Sequence, residues 1–282
     1  MIGKGCCAIA NEWKEHDNFM SQKNHQSNLK TVGSVTIPSI YKGPPGIANG
    51  GYVCSLFAQY IDGVIDVMIK RPTPLDRELQ ICADDDGIHY LMDGDQMIIQ
   101  AKPGDMDLTV PAAPGYEEAV RAAKASLAVK PTPYTHVTGN GIHPICFCCG
   151  ADVPEGEGLK IHPGHVSGTN MVAAPWTPSP EYGDAQGYVR PEFIWTALDC
   201  PGAYALWELT DTKPGFLGRL IGQIEKPLRC DEPCVVAAWP TGSDGRKLYT
   251  GTALFDAQGQ IIGRSLATWF LMPPEMMQLI AS

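Results

Sequence analysis

A weak internal repeat at a constant offset of 141 residues governs what this chain can fold into. Residues 49–65, NGGYVCSLFAQYIDGVI, place Tyr52, Val53, Leu56, Phe57, Tyr60, Ile61, Val64 and Ile65 at the spacing of one buried helical stripe. Residues 190–207, RPEFIWTALDCPGAYALW, repeat the pattern with Phe193, Ile194, Ala197 and Leu198. Each segment is predicted as one long helix. A strand stopped by proline follows each, Val67–Pro72 in the first half and Ile221–Pro227 in the second. The offset there grows to 155. The second copy thus carries about 14 extra residues, expected in a loop around Thr212–Gly215, because loops absorb insertions at little entropic cost.

Further strands are expected at Leu79–Ala83, Ile88–Met92 and Gln96–Ala101, and at Cys234–Trp239, Lys247–Asp256 and Gln260–Met272. The latter set is separated by the turn signals Gly242–Gly245 and Asp256–Gly259 and reads as an antiparallel meander. Leu29–Tyr41 and Leu159–Trp176 supply strands ahead of each helix. The fold class is therefore α+β, with one repeat in residues 1–105 and another in 146–282. Residues 106–145, rich in proline, are expected to be a crossover linker with one short helix over Tyr116–Val129.

Composition narrows the function. The net charge of −10 opposes attraction to nucleic acid or an anionic membrane surface. No window approaches the roughly 18 apolar residues of a membrane span, and the first residues lack the apolar core of a secretory signal. A cytoplasmic protein is the expectation. The 10 cysteines, spread over 282 residues, read as reduced thiols, not as a disulfide framework.

One helix wrapped by an antiparallel sheet, opened by Gly50-Gly51, resembles the hotdog fold of acyl-CoA thioesterases and hydratases, and two copies resemble a double hotdog. The second half carries the more specific likeness: Cys146-Phe-Cys-Cys-Gly150, Gly158-Leu-Lys-Ile161, and Gly187 through Asp199. It is similar to the phenylacetyl-CoA thioesterase type, in which a Cys-Phe-x-Cys-Gly…Gly-Leu segment precedes a His-Gly-Gly helix bearing an Asp nine residues after the His. The resemblance implies two tandem hotdog folds forming a pseudo-dimer, an acyl-CoA substrate, no cofactor and, by analogy alone, a homo-oligomer.

Thioester hydrolysis needs a hydrogen-bond donor where negative charge develops on the carbonyl oxygen, and a base or nucleophile beside the carbonyl carbon. The unpaired N–H groups of a helix start offer the first, and glycine lets a substrate approach them. At the offset of 141, Asn49-Gly50-Gly51 corresponds to Arg190-Pro191-Glu192, and Asp199 to Ala58. The first repeat keeps the donor turn without the carboxylate. The second keeps the carboxylate but has lost both glycines, one to a proline that has no N–H to give. Together they make one composite site, with Gly50 N–H polarising the carbonyl and Asp199 activating water or attacking directly. Asn49 stands where the resembled family has His, and Pro201 is expected to bend the helix beside Asp199.

Glu192, two turns before Asp199, is a reserve acid or base, although a first-turn glutamate favoured by the helix dipole explains it equally. Lys70, Arg71, Lys226 and Arg229, at the strand ends, are candidates for the coenzyme phosphates. Trp195, with Phe57, Trp207 and Trp269, is a candidate for the acyl lining. Cys146-x-x-Cys149 followed by His162-x-x-His165 comes close to a zinc pattern, but buried thiols without metal are the reading preferred here. Asp84-x4-His89 has the spacing of hotdog hydratases, and a solvated acidic turn explains it more simply. Two other functions compete with hydrolysis: binding of an acyl thioester or hydrophobic ligand without turnover, and enoyl-CoA hydration or dehydration at His89.

Overall fold

The computed structural model describes residues 29–131, 139–210, 212 and 214–271. The first half supplies β1 (Lys30–Thr36), α1 (Gly50–Ser55), β2 (Ile65–Ile69), β3 (Glu78–Ala83), β4 (His89–Asp93) and β5 (Gln96–Pro103). Then come α2 (Tyr116–Ala125), β6 (Gly164–His165), β7 (Val172–Trp176), α3 (Pro191–Ala197), α4 (Cys200–Leu209), β8 (Pro214–Ile224), β9 (Cys234–Asp244), β10 (Lys247–Phe255) and β11 (Ile261–Leu271).

All eleven strands join one sheet in the order β1-β3-β4-β5-β2-β8-β11-β10-β9-β7-β6. Every pairing is antiparallel. Apart from the two-residue β6, the order is a palindrome about the β2–β8 pair, so the two repeats meet edge to edge and cover each other's free strand. Ile65 faces Gly222 and Met68 faces Arg219 across this seam. A bidentate ion pair reinforces it, with Arg219 Nε at 2.6 Å and Nη2 at 2.7 Å from the two oxygens of the buried Asp66 carboxylate. One continuous apolar core runs through both halves, taking in Phe57 and Val67 from the first and Phe193 and Leu220 from the second.

The offset of 141 is visible in the backbone. Asn49 N–H donates to Tyr41 O at 2.9 Å, and Arg190 N–H donates to Tyr182 O at 3.0 Å. The bridge between Lys42 and Ala48 recurs between Gly183 and Val189. Beyond the helices the offset of 155 holds as well: Ala48 N–H donates to Thr73 O, and Val189 N–H to Leu228 O.

Three sequence expectations need correction. The first helix stops at Ser55 instead of running to Ile65, because the N–H groups of Leu56, Phe57, Ala58 and Tyr60 turn to acceptors three residues back, tightening the chain before Gly63 at φ 75°. The second helix is split: Asp199 leaves helical geometry at φ −96° and ψ −81°, between α3 and α4. Pro201 accounts for the break, since it has no N–H for the carbonyl of Ala197 and its ring collides with that carbonyl. Pro214 and Gly215 already belong to β8, so the additional residues of the second copy go beyond the loop expected around Thr212–Gly215. They extend the helical segment to Leu209 and lengthen β8 to 11 residues against the 5 of β2. Within the proline-rich stretch, Leu108, Ala119 and Ala122 bury against Ala173, Ala237 and Trp239 of the second half. Among the described residues no helix is long and apolar enough to cross a membrane.

Candidate active site

The two repeats meet at a cleft of about 100 Å³ that opens to solvent. Asn49, Gly50 and Arg71 line it from the first half, and Asp199, Leu217 and Trp269 from the second.

Asn49 caps α1. Its Oδ1 accepts from Tyr52 N–H at 2.9 Å, which satisfies one of the unpaired donors of the first turn. Because Oδ1 is engaged there, the amide Nδ2 faces the other way, 3.6 Å from Cys200 Sγ and 3.8 Å from Cys146 Sγ. Gly51 N–H is not available to a substrate: it donates to Asp199 Oδ2 at 2.8 Å. A side chain at Gly51 would meet Trp195 O at 2.4 Å and Thr196 Cα at 2.8 Å, so glycine is what lets α1 and α3 cross this closely. At Gly50 a Cβ would stand 3.1 Å from Asp199 Oδ2, so the Gly50 backbone and the carboxylate are immediate neighbours on the cleft wall.

Asp199 is 4% exposed. Burial pushes its carboxyl up to about 7, and negative charge at Cys146 adds to the rise, against Gly51 N–H and the Asn49 amide, which favour the anion. The helix break puts this carboxylate beside the start of the other repeat's helix. In an unbroken α-helix Pro201 would clash with Ala197 O. At the corresponding place in the first half stands Ala58, which has no charge to bury.

The remaining sequence candidates lie elsewhere. The Glu192 carboxylate pairs with Arg190 at 3.4 Å and is not part of the cleft wall. Trp195 is a core residue whose ring packs against Gly222. Lys226 is held by Asp256 and by Gln260 Oε1 at the β10–β11 turn. Arg229 lies over the Tyr188 ring, 5.0 Å from its centroid. Neither these two nor Lys70 reaches the cleft wall, whereas Arg71 does, with Nη1 donating to Met97 O at 2.6 Å. Of the proposed lining residues only Trp269 faces the cleft; Phe57 is buried in the core. His89 stacks on Tyr60 at 5.1 Å, and its Nδ1 lies 3.1 Å from Gly87 O, away from the cleft. His165 Nε2 is engaged by Thr169 O at 2.9 Å.

Sequence reasoning missed His143 and Cys200 on this wall. Cys200 follows Asp199 directly, so the helix break that turns the carboxylate into the cleft carries its neighbour with it. His143 lies in the proline-rich stretch, where spacing carries no face.

No protein-family model matches the chain, and no curated protein does either. Solved structures do match in fold. A proposed thioesterase from Novosphingobium aromaticivorans is 14% identical, with 85% of this chain and 95% of that one covered at a TM-score of 0.53. A proposed thioesterase II from Thermobifida fusca is 12% identical, with 87% and 97% covered at 0.54. A proposed oleoyl thioesterase from Lactobacillus plantarum is 10% identical, with 89% and 98% covered at 0.51. Nearly the whole of each relative is spanned, so the likeness covers both repeats and not one alone. The chain is a tandem hotdog protein, built on the same α+β architecture as these structures.

Proposed function

We propose that the chain hydrolyses an acyl-CoA thioester at one composite cleft. The observation that carries this reading is the placement of a buried carboxylate from one repeat against the helix start of the other, Asp199 Oδ2 at 2.8 Å from Gly51 N. In the proposed reaction Asp199 takes a proton from water as the water oxygen bonds to the carbonyl carbon. Gly50 N–H, which has no acceptor within its own helix, receives the developing oxyanion. The carbon–sulfur bond then breaks, the coenzyme thiolate leaves and is protonated, and the carboxylic acid is released. Ile69, Ile142, Phe216, Leu217 and Trp269 give the cleft an apolar wall suited to an acyl group, and Arg71 offers a cation for the coenzyme phosphates.

A single site is the reading the offset of 141 supports: the symmetry-related cleft would combine Pro191 of the second half, in place of Gly50, with Ala58 of the first, in place of Asp199. The replacement of the resembled family's His by Asn49 favours one competing reading, ligand binding without turnover. Thiol release from a panel of acyl-CoA esters separates the two. Hydrolysis predicts release by the wild type and none by Asp199→Asn, with acyl-CoA still bound. A wild type that binds the esters and releases no thiol would establish the binder instead.

A further inference from the structure

The cysteines beside Asp199 have no part in the hydrolysis just described, and their arrangement points elsewhere. Among the described residues, one group of three possible metal ligands has its ligand atoms within 4.8 Å of one another: Cys146, Cys149 and Cys200. Spacing alone pairs Cys146 and Cys149 with His162 and His165, but the fold brings Cys200 to the two thiols instead. All three line the cleft.

Several independent features suit a thiophilic cation. The sulfurs of Cys146 and Cys200 are 3.7 Å apart. Zinc–thiolate bonds of about 2.3 Å in a tetrahedron set neighbouring sulfurs about 3.8 Å apart. The Cys146–Cys149 segment is a tight turn of Cys-x-x-Cys-Gly form. Gly150 N–H donates to Cys146 O at 2.8 Å and closes it. A Cβ at Gly150 would meet Cys146 N and O at 2.6 Å, so the turn that aims both thiols inward needs glycine. The intervening Cys148 is outside the group of three: its thiol donates to Thr196 O at 3.2 Å, although it too lies beside Cys200. On the other side the Asn49 amide points its donor at two of the sulfurs, as outer-shell groups do for metal-bound thiolates.

We infer that Cys146, Cys149 and Cys200 form a three-thiolate site for a zinc-type divalent ion, with the fourth position of the tetrahedron open to the cleft. The 3.7 Å between the Cys146 and Cys200 sulfurs suits a shared metal better than a disulfide, which would need them about 2 Å apart. The site stands independently of hydrolysis, because its readout is binding and not turnover.

The test is a Co2+ titration of full-length protein, reduced and stripped with a chelator, followed by displacement with Zn2+. One Co2+ per chain is expected, with a thiolate-to-cobalt charge-transfer band and the visible bands of a tetrahedral ion, all removed by one equivalent of Zn2+. Cys146→Ser, Cys149→Ser and Cys200→Ser should each abolish the charge-transfer band. Cys148→Ser and the Cys6→Ser/Cys7→Ser double variant should keep it. Alkylation mapping of the wild type gives a second readout that needs no variant to fold: Zn2+ should protect Cys146, Cys149 and Cys200 and leave the other thiols as they were. Absence of the cobalt–thiolate band, a band that survives in Cys200→Ser, or protection at other cysteines would each overturn the site.

Discussion

Gly51 of the first repeat and Asp199 of the second are joined by a 2.8 Å hydrogen bond, backbone donor to carboxylate, between residues 148 positions apart. This bond fixes the carboxylate and takes up one of the few free donors at the start of α1; in the proposed reaction the preceding N–H of Gly50 is the one that meets a substrate.

Asp199→Asn keeps the side chain's shape and its acceptor for Gly51 N–H but removes the base. The expected loss in kcat is about 10²–10⁴-fold with KM little changed, since positioned acid–base groups contribute on that order. Steady-state thiol release measures it, and a variant retaining more than a tenth of wild-type kcat would assign the base elsewhere.

Stability should carry the same residue's signature. The Asp199 carboxyl has its ordinary value at 3.8 and stands at about 7 when folded, so the folded protein retains a proton that the unfolded chain has released. The stability contributed by that proton is complete below about pH 4 and is lost as pH rises through 7, by about 4 kcal/mol at most. In chelator-treated protein, Asp199→Asn should therefore raise Tm relative to wild type at pH 8 and not at pH 4. Equal differences at both pH values would show that the carboxylate is not strained by burial. In the same preparation kcat/KM of the wild type should rise with pH to a plateau above about 7.

The two glycines of α1 should separate structure from chemistry. At Gly51 a methyl group meets backbone atoms of α3, which cannot swing aside, so Gly51→Ala should destabilise the fold by about 1–3 kcal/mol. At Gly50 the neighbours are the movable side chains of Leu217 and Asp199. Gly50→Ala should hold its Tm within a few degrees while thiol release falls, and a fully active Gly50→Ala protein would remove Gly50 from the site.

The seam between the halves depends on Arg219 and Asp66. Arg219→Ala leaves the Asp66 carboxylate buried without its partner and should cost about 1–3 kcal/mol in urea denaturation. Adding Asp66→Asn should recover part of that loss, because the uncompensated charge is then gone. Strict additivity of the two changes would show that the pair does not interact.

The two repeats were legible at the level of pattern, but the single sheet they share was not. The 141-residue offset located both helix starts, since Asn49 and Arg190 cap α1 and α3 with nearly the same backbone angles. β3, β4, β5, β10 and β11 fall close to their expected positions because turns such as Asp256–Gly259 punctuate them, whereas β8 runs over Pro214–Ile224 and not Ile221–Pro227, and Leu159–Trp176 holds only β6 and β7. Helix length was not legible, because an apolar stripe continues through Leu56–Ile61 although the hydrogen bonds there change partner. The cationic candidates failed to converge for a similar reason. A strand end is a position in the chain, whereas Lys226 is directed by its own ion pair to Asp256 and away from the cleft. The approach of Cys200 to Cys146 depends on a helix break whose direction no spacing encodes.

The covalent joining of the repeats has a consequence for how this molecule can change. In an assembly of two copies of one gene product, any residue altered at one end is altered at the other, so a proline replacing Gly50 would ruin both ends at once. Here Gly50 and Pro191, like Asp199 and Ala58, mutate separately, and asymmetry is open to selection one position at a time. On the proposed reading the end that carries Pro191 and Ala58 is released from catalysis, and Arg190 there pairs with Glu192 and lies over the Phe193 ring.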